Sequence, residues 1–401
     1  MNDIRNLFAN KRVLIWGFGR EGQSTKHFLT RLCTPASVEV FEGKREGIEE
    51  DKYDLIIKSP GIVMEEDDPK YTSQTEIFLK AFRDQTVGIT GTKGKSTTSS
   101  LLYHVLKSCG KKAILLGNIG EPCLDYYEEI DEETIIVFEM SCHQLAHVDV
   151  SPRVAVFLSF FEEHLDYYKT VDKYYAAKSH VTTYQGEEDY FFIGENVPMP
   201  ETKAKTRLIT REEVEDFELT VPGEHNRFNA QFVIEIATKV YGLEREEVLR
   251  AFASFKGLPH RLEYIGTKNG IRYYDDSIST IPSATIEALH AIEEAHTVIL
   301  GGMDRGIDYT LLIDFIKKPE NQIYDYILAY DSGRRIYESV SELSCTHYVD
   351  DLKKATELAG EITPKGKACL LSPASASYGY FKNFEQRGEM FKEYIGEGLA
   401  L

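Results

Sequence analysis

The sequence predicts an α/β protein of three domains, each built around a mostly parallel sheet. Two observations support this fold class: short apolar runs end in glycine-rich turns, and stretches of helical pattern separate those runs. A strand–helix–strand order that recurs along the chain indicates parallel strands covered by helices. A chain of 401 residues has room for two or three domains. We therefore expect domains at residues 1–84, 85–264 and 265–401.

The first domain has the strand and helix order of a Rossmann-like fold. The apolar run Arg12–Trp16 leads into Gly17, and Gly22–Leu32 has the pattern of the helix that follows. Val38–Phe41 and Asp54–Lys58 are predicted to be the next two strands. Together these segments predict a small parallel sheet at the start of the chain.

The central domain is predicted to be a P-loop ATPase domain. Thr86–Ile89 is a short strand, a glycine-rich loop follows it, and a helix covers Ser96–Ser108. Ile135–Phe138 and Val154–Leu158 are predicted to be further buried strands. The segment Glu201–Thr220 is polar and irregular in pattern, and no chemistry is assigned to it.

A third domain, also Rossmann-like, is predicted from three more apolar runs with helical stretches between them. These runs are Val298–Leu300, Tyr326–Ala329 and Ala368–Leu371. The first of them leads into the turn Gly301-Gly302, as expected of a strand that ends at a ligand-binding edge.

The composition argues against several classes of partner. Lys and Arg number 46 and Asp and Glu number 65, so the formal net charge is −19. This acidic balance argues against nucleic-acid and anionic-membrane partners. No apolar run is long enough for a membrane helix or resembles a signal peptide, so we expect a cytoplasmic protein. The six cysteines form no CxxC pair, which argues against a disulfide framework or a structural zinc site.

The strongest local signal is the segment Gly88–Thr98, with the sequence GITGTKGKSTT. Glycines allow backbone N–H groups to surround phosphate oxygens, and the start of a helix adds partial positive charge there. Lys95 is expected to reach the β- and γ-phosphates of ATP, and the hydroxyl of Ser96 or Thr97 to ligate Mg²⁺. The strict P-loop spacing fails because Ile89 stands where its first glycine would be. The compact form Gly-Thr-x-Gly-Lys-Ser-Thr is present instead.

Motifs spread over about residues 12–390 resemble those of the Mur ligase family and stand in the same order. The compact phosphate loop is similar to that of Mur ligases and folylpolyglutamate synthetases, and the later motifs resemble the glutamate-adding Mur ligases. These motifs are GNIG at 117–120, EMSCHQL at 139–145, EHLD at 163–166, AAK at 176–178, HN at 225–226, GLPHRLE at 257–263, GGMDRG at 301–306, LSPASAS at 371–377 and NFEQRG at 383–388. Each motif alone is weak, but the ordered set is specific.

The resemblance implies an ATP-dependent ligase of peptidoglycan precursor synthesis. Such an enzyme joins glutamate, expected as D-glutamate, to UDP-N-acetylmuramoyl-L-alanine. ATP would convert the acceptor carboxylate into an acyl phosphate, which the amine of glutamate then attacks. We expect a monomer with these small-molecule partners.

The catalytic and metal-binding positions of the family correspond to six residues of this chain. The predicted catalytic residues are Lys95, Asn118, His164 and Lys178. The predicted ligands of one or two Mg²⁺ ions are Ser96, Glu139, His164 and Lys178. Glu139 follows an apolar strand beside the phosphate loop, and carboxylate oxygens suit Mg²⁺. The resemblance implies that Lys178 is carbamylated, which would turn a cation into an anionic oxygen ligand.

The other predicted contacts follow from the same resemblance. ATP is expected at Gly91, Thr92, Lys93, Gly94, Lys95, Ser96, Thr97, Asn226, Asn229, His260, Arg261 and Asp304. The acceptor and glutamate are expected at Gly19, Arg20, Glu21, Ser59, Pro60, Gly61, Asn118, Ser141, Gln144, Ser377 and Phe384. In this scheme Gly19–Gly22 lie at the diphosphate of the acceptor, and Ser59–Gly61 lie at its uracil side.

The loop Gly17–Gly22 also matches the dinucleotide-binding fingerprint G-x-G-x-x-G, with Glu42 at the end of the next strand. Taken alone, this match predicts NAD and an oxidoreductase. A second phosphate loop in the next domain and the lack of a redox constellation favour a UDP diphosphate instead. A non-catalytic nucleotide-binding module is a further alternative.

Three positions depart from the family pattern. Ile278 stands where glutamate-adding members have a lysine that helps to hold the incoming glutamate. Loss of that cation removes an interaction of about 1.5–3 kcal/mol. An L-glutamate-adding variant, or a ligase for another amino acid, therefore stays open, with Lys382 and Arg387 as nearby cations. Phe41–Gly43 departs from the family pattern at the positions expected to contact the ribose or phosphate of the acceptor. His143 stands where the family has a phenylalanine. A zinc site at this histidine is not expected, because the paired cysteines of structural zinc sites are missing.

Overall fold

The structure, a computed structural model, describes residues 4–64, 68–119, 122–163, 165–215, 217–219, 221, 223–255 and 257–396. The chain divides into two compact units, Met1–Glu218 with His225–Ala253, and Leu219–Glu224 with Ser254–Leu401. The first unit contains two sheets and the second contains one. The predicted α/β class with three sheet-based domains is confirmed. In the described part of the chain, no helix has both the length and the apolar character needed to cross a bilayer.

The first sheet is small and parallel. Its strands are β1 (Arg12–Trp16), β2 (Ser37–Phe41), β3 (Leu55–Lys58) and β4 (Tyr71–Thr72), and its helices are α1 (Arg20–Leu32) and α2 (Gln74–Phe82). The strand order is β2-β1-β3-β4. Trp16 pairs with Lys58 where β1 and β3 end. The loops that follow these two strands therefore leave the sheet at the same edge, which is where a ligand site is expected.

The second sheet has six parallel strands. They are β5 (Thr86–Thr90), β6 (Ala113–Gly117), β7 (Ile135–Glu139), β8 (Val154–Phe157), β9 (Tyr190–Gly194) and β10 (Lys205–Ile209). Its helices are α3 (Lys95–Ser108), α4 (Cys142–Leu145), α5 (Leu165–Tyr168), α6 (Val171–Thr183), α7 (Glu224–Lys239) and α8 (Arg245–Ser254). In the order β10-β9-β8-β5-β7-β6, strands β6 and β7 lie on one side of β5 and strands β8 to β10 lie on the other. The order of the strands therefore reverses at β5. Ligands of open α/β sheets bind at such a switch point.

Strand β10 lies inside the segment Glu201–Thr220, to which no regular pattern was assigned. It is one of the two edge strands of the sheet, and most of its side chains are exposed or half-exposed. An edge strand of this kind carries polar residues, so it lacks the apolar run that reveals a buried strand.

The two sheets of the first unit share one hydrophobic core. Helix α2 packs between them, and its Phe78 ring meets the Phe138 ring of β7 edge-on, with centroids 5.7 Å apart. Phe82 of the same helix packs against Tyr127. Buried aromatic rings supply much of the packing energy of a core. This packing therefore fixes the positions of the two sheet edges relative to each other.

The second unit contains a mixed six-stranded sheet with its own core. Its strands are β11 (Glu263–Lys268), β12 (Ile271–Asp275), β13 (Ala295–Leu300), β14 (Asp325–Ala329), β15 (Thr346–Val349) and β16 (Ala368–Leu371). Its helices are α9 (Pro282–Ala291), α10 (Thr310–Lys317), α11 (Tyr330–Tyr337), α12 (Leu352–Ile362) and α13 (Phe384–Ile395). The order is β11-β12-β16-β13-β14-β15, with only the β11–β12 pair antiparallel. Strand β11 spans the boundary expected between residues 264 and 265, and the domain bounds stay a prediction.

Candidate active site

The phosphate loop joins the central strand β5 to helix α3. Gly94 precedes the helix with a left-handed φ of 88°, and Lys95 is the first helical residue. The loop is fastened to the chain that follows β8. The Thr92 N–H donates to the Ser159 carbonyl (2.8 Å), and the Lys93 N–H donates to the Ser159 hydroxyl (2.9 Å). The protein itself thus sets the shape of the loop.

Gly94 leaves no room for a side chain, because a Cβ there would lie 2.5 Å from Oδ1 of the buried Asn229. Gly94→Ala is expected to destabilise the fold by about 1–3 kcal/mol and to weaken nucleotide binding. Chemical denaturation and titration with an ATP analogue measure the two effects. The matched control is Gly110→Ala, since Gly110 follows the other end of α3 with φ 74° and open space around it. This control should lose about 1 kcal/mol and no nucleotide affinity; equal losses of affinity would contradict the prediction.

Two lysines converge on the phosphate loop. The Lys95 Nζ donates to the carbonyls of Gly91 (2.9 Å) and Thr92 (3.1 Å), and the Lys178 Nζ, from α6, donates to the same Gly91 carbonyl (2.9 Å). Burial lowers the pKa of Lys95. Burial, with the nearby Lys95 charge, lowers the pKa of Lys178 to about 7. The Lys95 ammonium in this poorly hydrated site creates a strong attraction for a polyphosphate.

Glu139 ends β7 beside this loop and is only 1% exposed. The Asn118 side-chain amide donates to its Oε1 (2.8 Å), and the Asn118 N–H donates to its carbonyl (2.9 Å). Its Oε2 is buried without a hydrogen-bond partner among the described residues. An unpaired buried carboxylate oxygen is unfavourable unless a cation neutralises it. A hard divalent cation such as Mg²⁺ therefore fits Oε2.

Of the other predicted metal ligands, Ser96 lies in the first turn of α3 with a half-buried side chain, and Thr97 follows it. His164 lies outside the described residues. Its neighbour Glu163 forms an ion pair with Lys93 (2.9 Å). This ion pair places a carboxylate beside the phosphate loop, which was not expected from the sequence.

A cavity of about 290 Å³ opens between the edges of the two sheets of the first unit. Its lining residues are Arg20, Glu21, Pro60, Gly61, Gly117, Asn118, Pro122, Ser141, His143 and Gln144. Seven of them were predicted to bind the acceptor. Ser59 and Gly19 do not line it: the Ser59 hydroxyl donates to the Gly17 carbonyl (3.1 Å), and Gly19 is the exposed residue before α1. Asn118 belongs to the cavity and to the Glu139 contact, so cavity and phosphate loop adjoin.

Ser141 and Gln144 form a capping box at the start of α4. The Ser141 N–H donates to Gln144 Oε1 (2.9 Å), and the Gln144 N–H donates to the Ser141 hydroxyl (3.2 Å). The Gln144 side-chain amide also donates to Glu21 Oε1 (2.8 Å). This last bond links the first helix of the chain to the segment that follows Glu139.

The nucleotide-binding candidates of the second unit are held by contacts within that unit. His260 is buried, and its Nδ1 lies 2.6 Å from Oδ2 of Asp275. The Nε of Arg261 is buried without a hydrogen-bond partner among the described residues. The Asp304 carboxylate forms an ion pair with the Arg335 guanidinium (3.3 Å). Asn226, in the first unit, is buried on α7 like Asn229.

The glutamate-binding candidates also belong to the second unit. Ser377 is buried, and Phe384 is the first residue of α13. The buried Arg387 donates to the Ser277 carbonyl (2.7 Å), to the Ser277 hydroxyl (3.0 Å) and to the Ser375 carbonyl (3.0 Å). Burial lowers its pKa to about 10. Arg387 thus ties the segment after β12 to the segment after β16.

Comparison with known proteins identifies the family. A family model described as the Mur ligase middle domain matches residues 89–210. The chain is similar to the UDP-N-acetylmuramoylalanine–D-glutamate ligase of Lactobacillus acidophilus, with 30% identity over 465 aligned residues and 99% of each chain covered. It is also 30% identical to the ligase of that name from Aquifex aeolicus, with 96% of this chain and 98% of the relative covered. The chain belongs to the Mur ligase family. It is therefore an ATP-dependent ligase that forms a peptide bond.

Solved structures of other Mur ligases have the same fold. The MurF ligase of Thermotoga maritima in complex with ADP matches with a TM-score of 0.58 at 17% identity, covering 98% of this chain and 99% of that one. The UDP-N-acetylmuramate–alanine ligase of the same organism matches with a TM-score of 0.56 at 19% identity, covering 91% and 96%. At such identities the likeness supports the fold alone. Both relatives at 30% identity are named as ligases, so the oxidoreductase alternative finds no support in them.

Some residues of this Mur ligase site were missed from the sequence. Gly117, Pro122 and His143 line the cavity, although they were not named as substrate contacts. Lys58 is buried at the end of β3. A signal for Lys58 was present, because a lysine that ends a buried apolar strand requires an electrostatic reason. No local pattern distinguishes Pro122.

Proposed function

We propose that this Mur ligase joins D-glutamate to UDP-N-acetylmuramoyl-L-alanine in peptidoglycan precursor synthesis, through an acyl phosphate. The observation that carries the proposal is the adjacency of the phosphate loop to the acceptor cavity, with Asn118 common to both. An acceptor carboxylate in that cavity would lie close to the terminal phosphate of ATP on the loop. The names of relatives at about 30% identity over nearly the whole chain support the same substrates.

The residues of the first unit can take up the charge of phosphoryl transfer. Lys95 and the start of α3 would attract the phosphates, since helix N-termini and ammonium groups stabilise the transferring group. Asn118 would orient the acceptor while it holds Glu139. Glu139 and Ser96 would hold Mg²⁺, with His164 and a carbamylated Lys178 as further ligands. The ion would neutralise charge on the phosphates when bound.

The remaining assignments are proposed on the same basis. The acceptor diphosphate is assigned to Gly19, Arg20 and Glu21, and its uracil to Ser59, Pro60 and Gly61. Ser141 and Gln144 are assigned to the remainder of the acceptor. Asn226 and Asn229 are assigned to the nucleotide. In the second unit His260, Arg261 and Asp304 are nucleotide candidates, and Ser377 and Phe384 are glutamate candidates. We also propose that the enzyme acts as a monomer in the cytoplasm, where ATP is available.

An assay of ADP release tests this function and the configuration of the amino acid. Release is expected only when UDP-N-acetylmuramoyl-L-alanine and D-glutamate are both present, with the ligated product confirmed by mass spectrometry. L-glutamate in place of D-glutamate is the matched control. Preference for L-glutamate would support the variant suggested by Ile278. ATP turnover that is indifferent to both substrates would refute the ligase proposal.

Lys178 is proposed to carry a carbamate. Only a neutral amine adds CO₂, and a pKa lowered to about 7 makes about half of the amine neutral at that pH and more of it at higher pH. The carbamate would also face Lys95, whose ammonium would stabilise it. Labelled bicarbonate should therefore give a carbamate NMR signal that grows as the pH rises through 7 and is absent from Lys178→Arg. Lys173→Arg, on the exposed face of α6, is the control and should keep the signal; its loss there would contradict the assignment.

A further inference from the structure

A buried lysine lies beneath the loop that the acceptor diphosphate is proposed to bind. Lys58 is the last residue of β3 and is 4% exposed. Among the described residues it makes no hydrogen bond, and no carboxylate lies within 4 Å of its ammonium. Its side chain lines a crevice with Glu21, Gly22 and Gln74 that is too narrow to admit a water molecule. Among the described residues, no direct partner therefore offsets the ammonium charge.

Glu21 is the carboxylate that acts on this charge. It stands at the start of α1 and lines both the crevice and the acceptor cavity. Burial lowers the pKa of Lys58 to about 8, and the charge of Glu21 opposes that shift. Burial raises the pKa of Glu21 above its ordinary value, and the hydrogen bond from Gln144 and the charge of Lys58 oppose that rise. Each group thus favours the charged form of the other.

The position of Glu21 creates an electrostatic conflict with the proposed ligand. An unbalanced carboxylate in the cavity wall would repel a diphosphate, and like charges that face each other across an interface cost several kcal/mol. Glu21 also accepts a hydrogen bond from the Gln144 amide, and Gln144 and Ser141 line the same cavity. A neutralising charge behind Glu21 resolves the conflict and leaves this hydrogen bond intact.

We propose that Lys58 and Glu21 are positioning residues for the acceptor: Lys58 offsets the charge of Glu21 behind the cavity wall, and Glu21 fixes Gln144 and Ser141 where the anionic acceptor binds. This inference rests on the proposed function, because it takes a UDP-linked anion as the ligand. This pair of residues is therefore expected to affect the affinity for the acceptor and to leave the affinity for ATP unchanged.

The test compares Lys58→Met with the double variant Lys58→Met/Glu21→Gln at about pH 8, which favours an ionised carboxylate. Lys58→Met should raise the Kd of UDP-N-acetylmuramoyl-L-alanine, measured by calorimetry without ATP, about tenfold. The KM for the acceptor should rise in parallel, while the KM for ATP stays within about twofold. The double variant, which removes both charges, should recover to within about threefold of the wild-type Kd. Lys52→Met is the control, because Lys52 is an exposed lysine of the same domain paired with Glu49.

Each outcome bears on the proposal. An unchanged acceptor Kd in Lys58→Met, or a double variant as weak as the single one, overturns it, and so does an equal rise in the KM for ATP. If Lys58→Met does not fold, Lys58→Gln removes the same charge and replaces it in the comparison. If wild-type enzyme releases no ADP with acceptor and glutamate, the proposed function itself fails. If the wild type is active and the variants bind the acceptor as tightly as the wild type, only the positioning role is refuted.

Discussion

Replacement of Lys95 by methionine is expected to lower the turnover number of ligation about 1,000-fold, which corresponds to about 4 kcal/mol of transition-state stabilisation. Lys95 is the first residue of α3, and its ammonium lies on the phosphate loop against the carbonyls of Gly91 and Thr92. Burial lowers its pKa because the charged form is poorly hydrated there. A bound triphosphate would supply the missing counter-charge, so the lysine contributes most when phosphoryl charge develops.

The measurement is steady-state ligation, with ADP release followed at saturating acceptor and glutamate. Lys107→Met is the matched control, because Lys107 is an exposed lysine in the last turn of the same helix. It should retain activity within about twofold, since charges that are exposed and remote from the site contribute little. Thermal unfolding of both variants checks that the fold is intact. A folded Lys95→Met enzyme with near wild-type turnover would show that the loop does not bind the reacting phosphates.

Replacement of Glu139 by glutamine is expected to lower turnover about 100-fold or more, and also to abolish the stabilisation that Mg²⁺ and an ATP analogue give the wild type. The buried Oε2 of Glu139 has no hydrogen-bond partner among the described residues, so the carboxylate is poised to bind a cation. Glutamine keeps the shape and can still accept the hydrogen bond from Asn118 at its amide oxygen. The variant thus removes the charge while preserving the geometry.

The sign of the stability change separates a metal ligand from a structural residue. Without ligands, Glu139→Gln should melt at the wild-type temperature or above it, because a buried unpaired charge has been removed. With Mg²⁺ and a non-hydrolysable ATP analogue, only the wild type should show a marked rise in melting temperature. Glu133→Gln, at an exposed position just before β7, is the control and should behave as wild type. A ligand-free variant that melts well below wild type would indicate a structural role instead.

Much of this site could be predicted from local patterns. The phosphate loop is a continuous segment whose glycines, lysine and hydroxyls stand at fixed spacing, so Lys95, Ser96 and Thr97 were assigned directly. Glu139 ends an apolar strand, and carboxyl ends of parallel strands meet at one edge; the family resemblance gave it the role of a metal ligand. The same reasoning did not extend to β10, whose polar edge position removes the apolar signal. It also did not settle the limits of the third domain, because the antiparallel strand β11 joins that sheet without a crossover helix.

The sequence by itself determined the α/β class, the phosphate loop and the membership of a ligase family, because glycine turns, apolar runs and motif spacing are local properties of the chain. Only the tertiary structure decided which side chains are buried together. Glu21, Lys58 and Gln144 come from three separate segments, yet Glu21 lines the acceptor cavity with Gln144 and the buried crevice behind it with Lys58. Desolvation and charge pairing depend on such distant neighbours, and a linear pattern does not specify them.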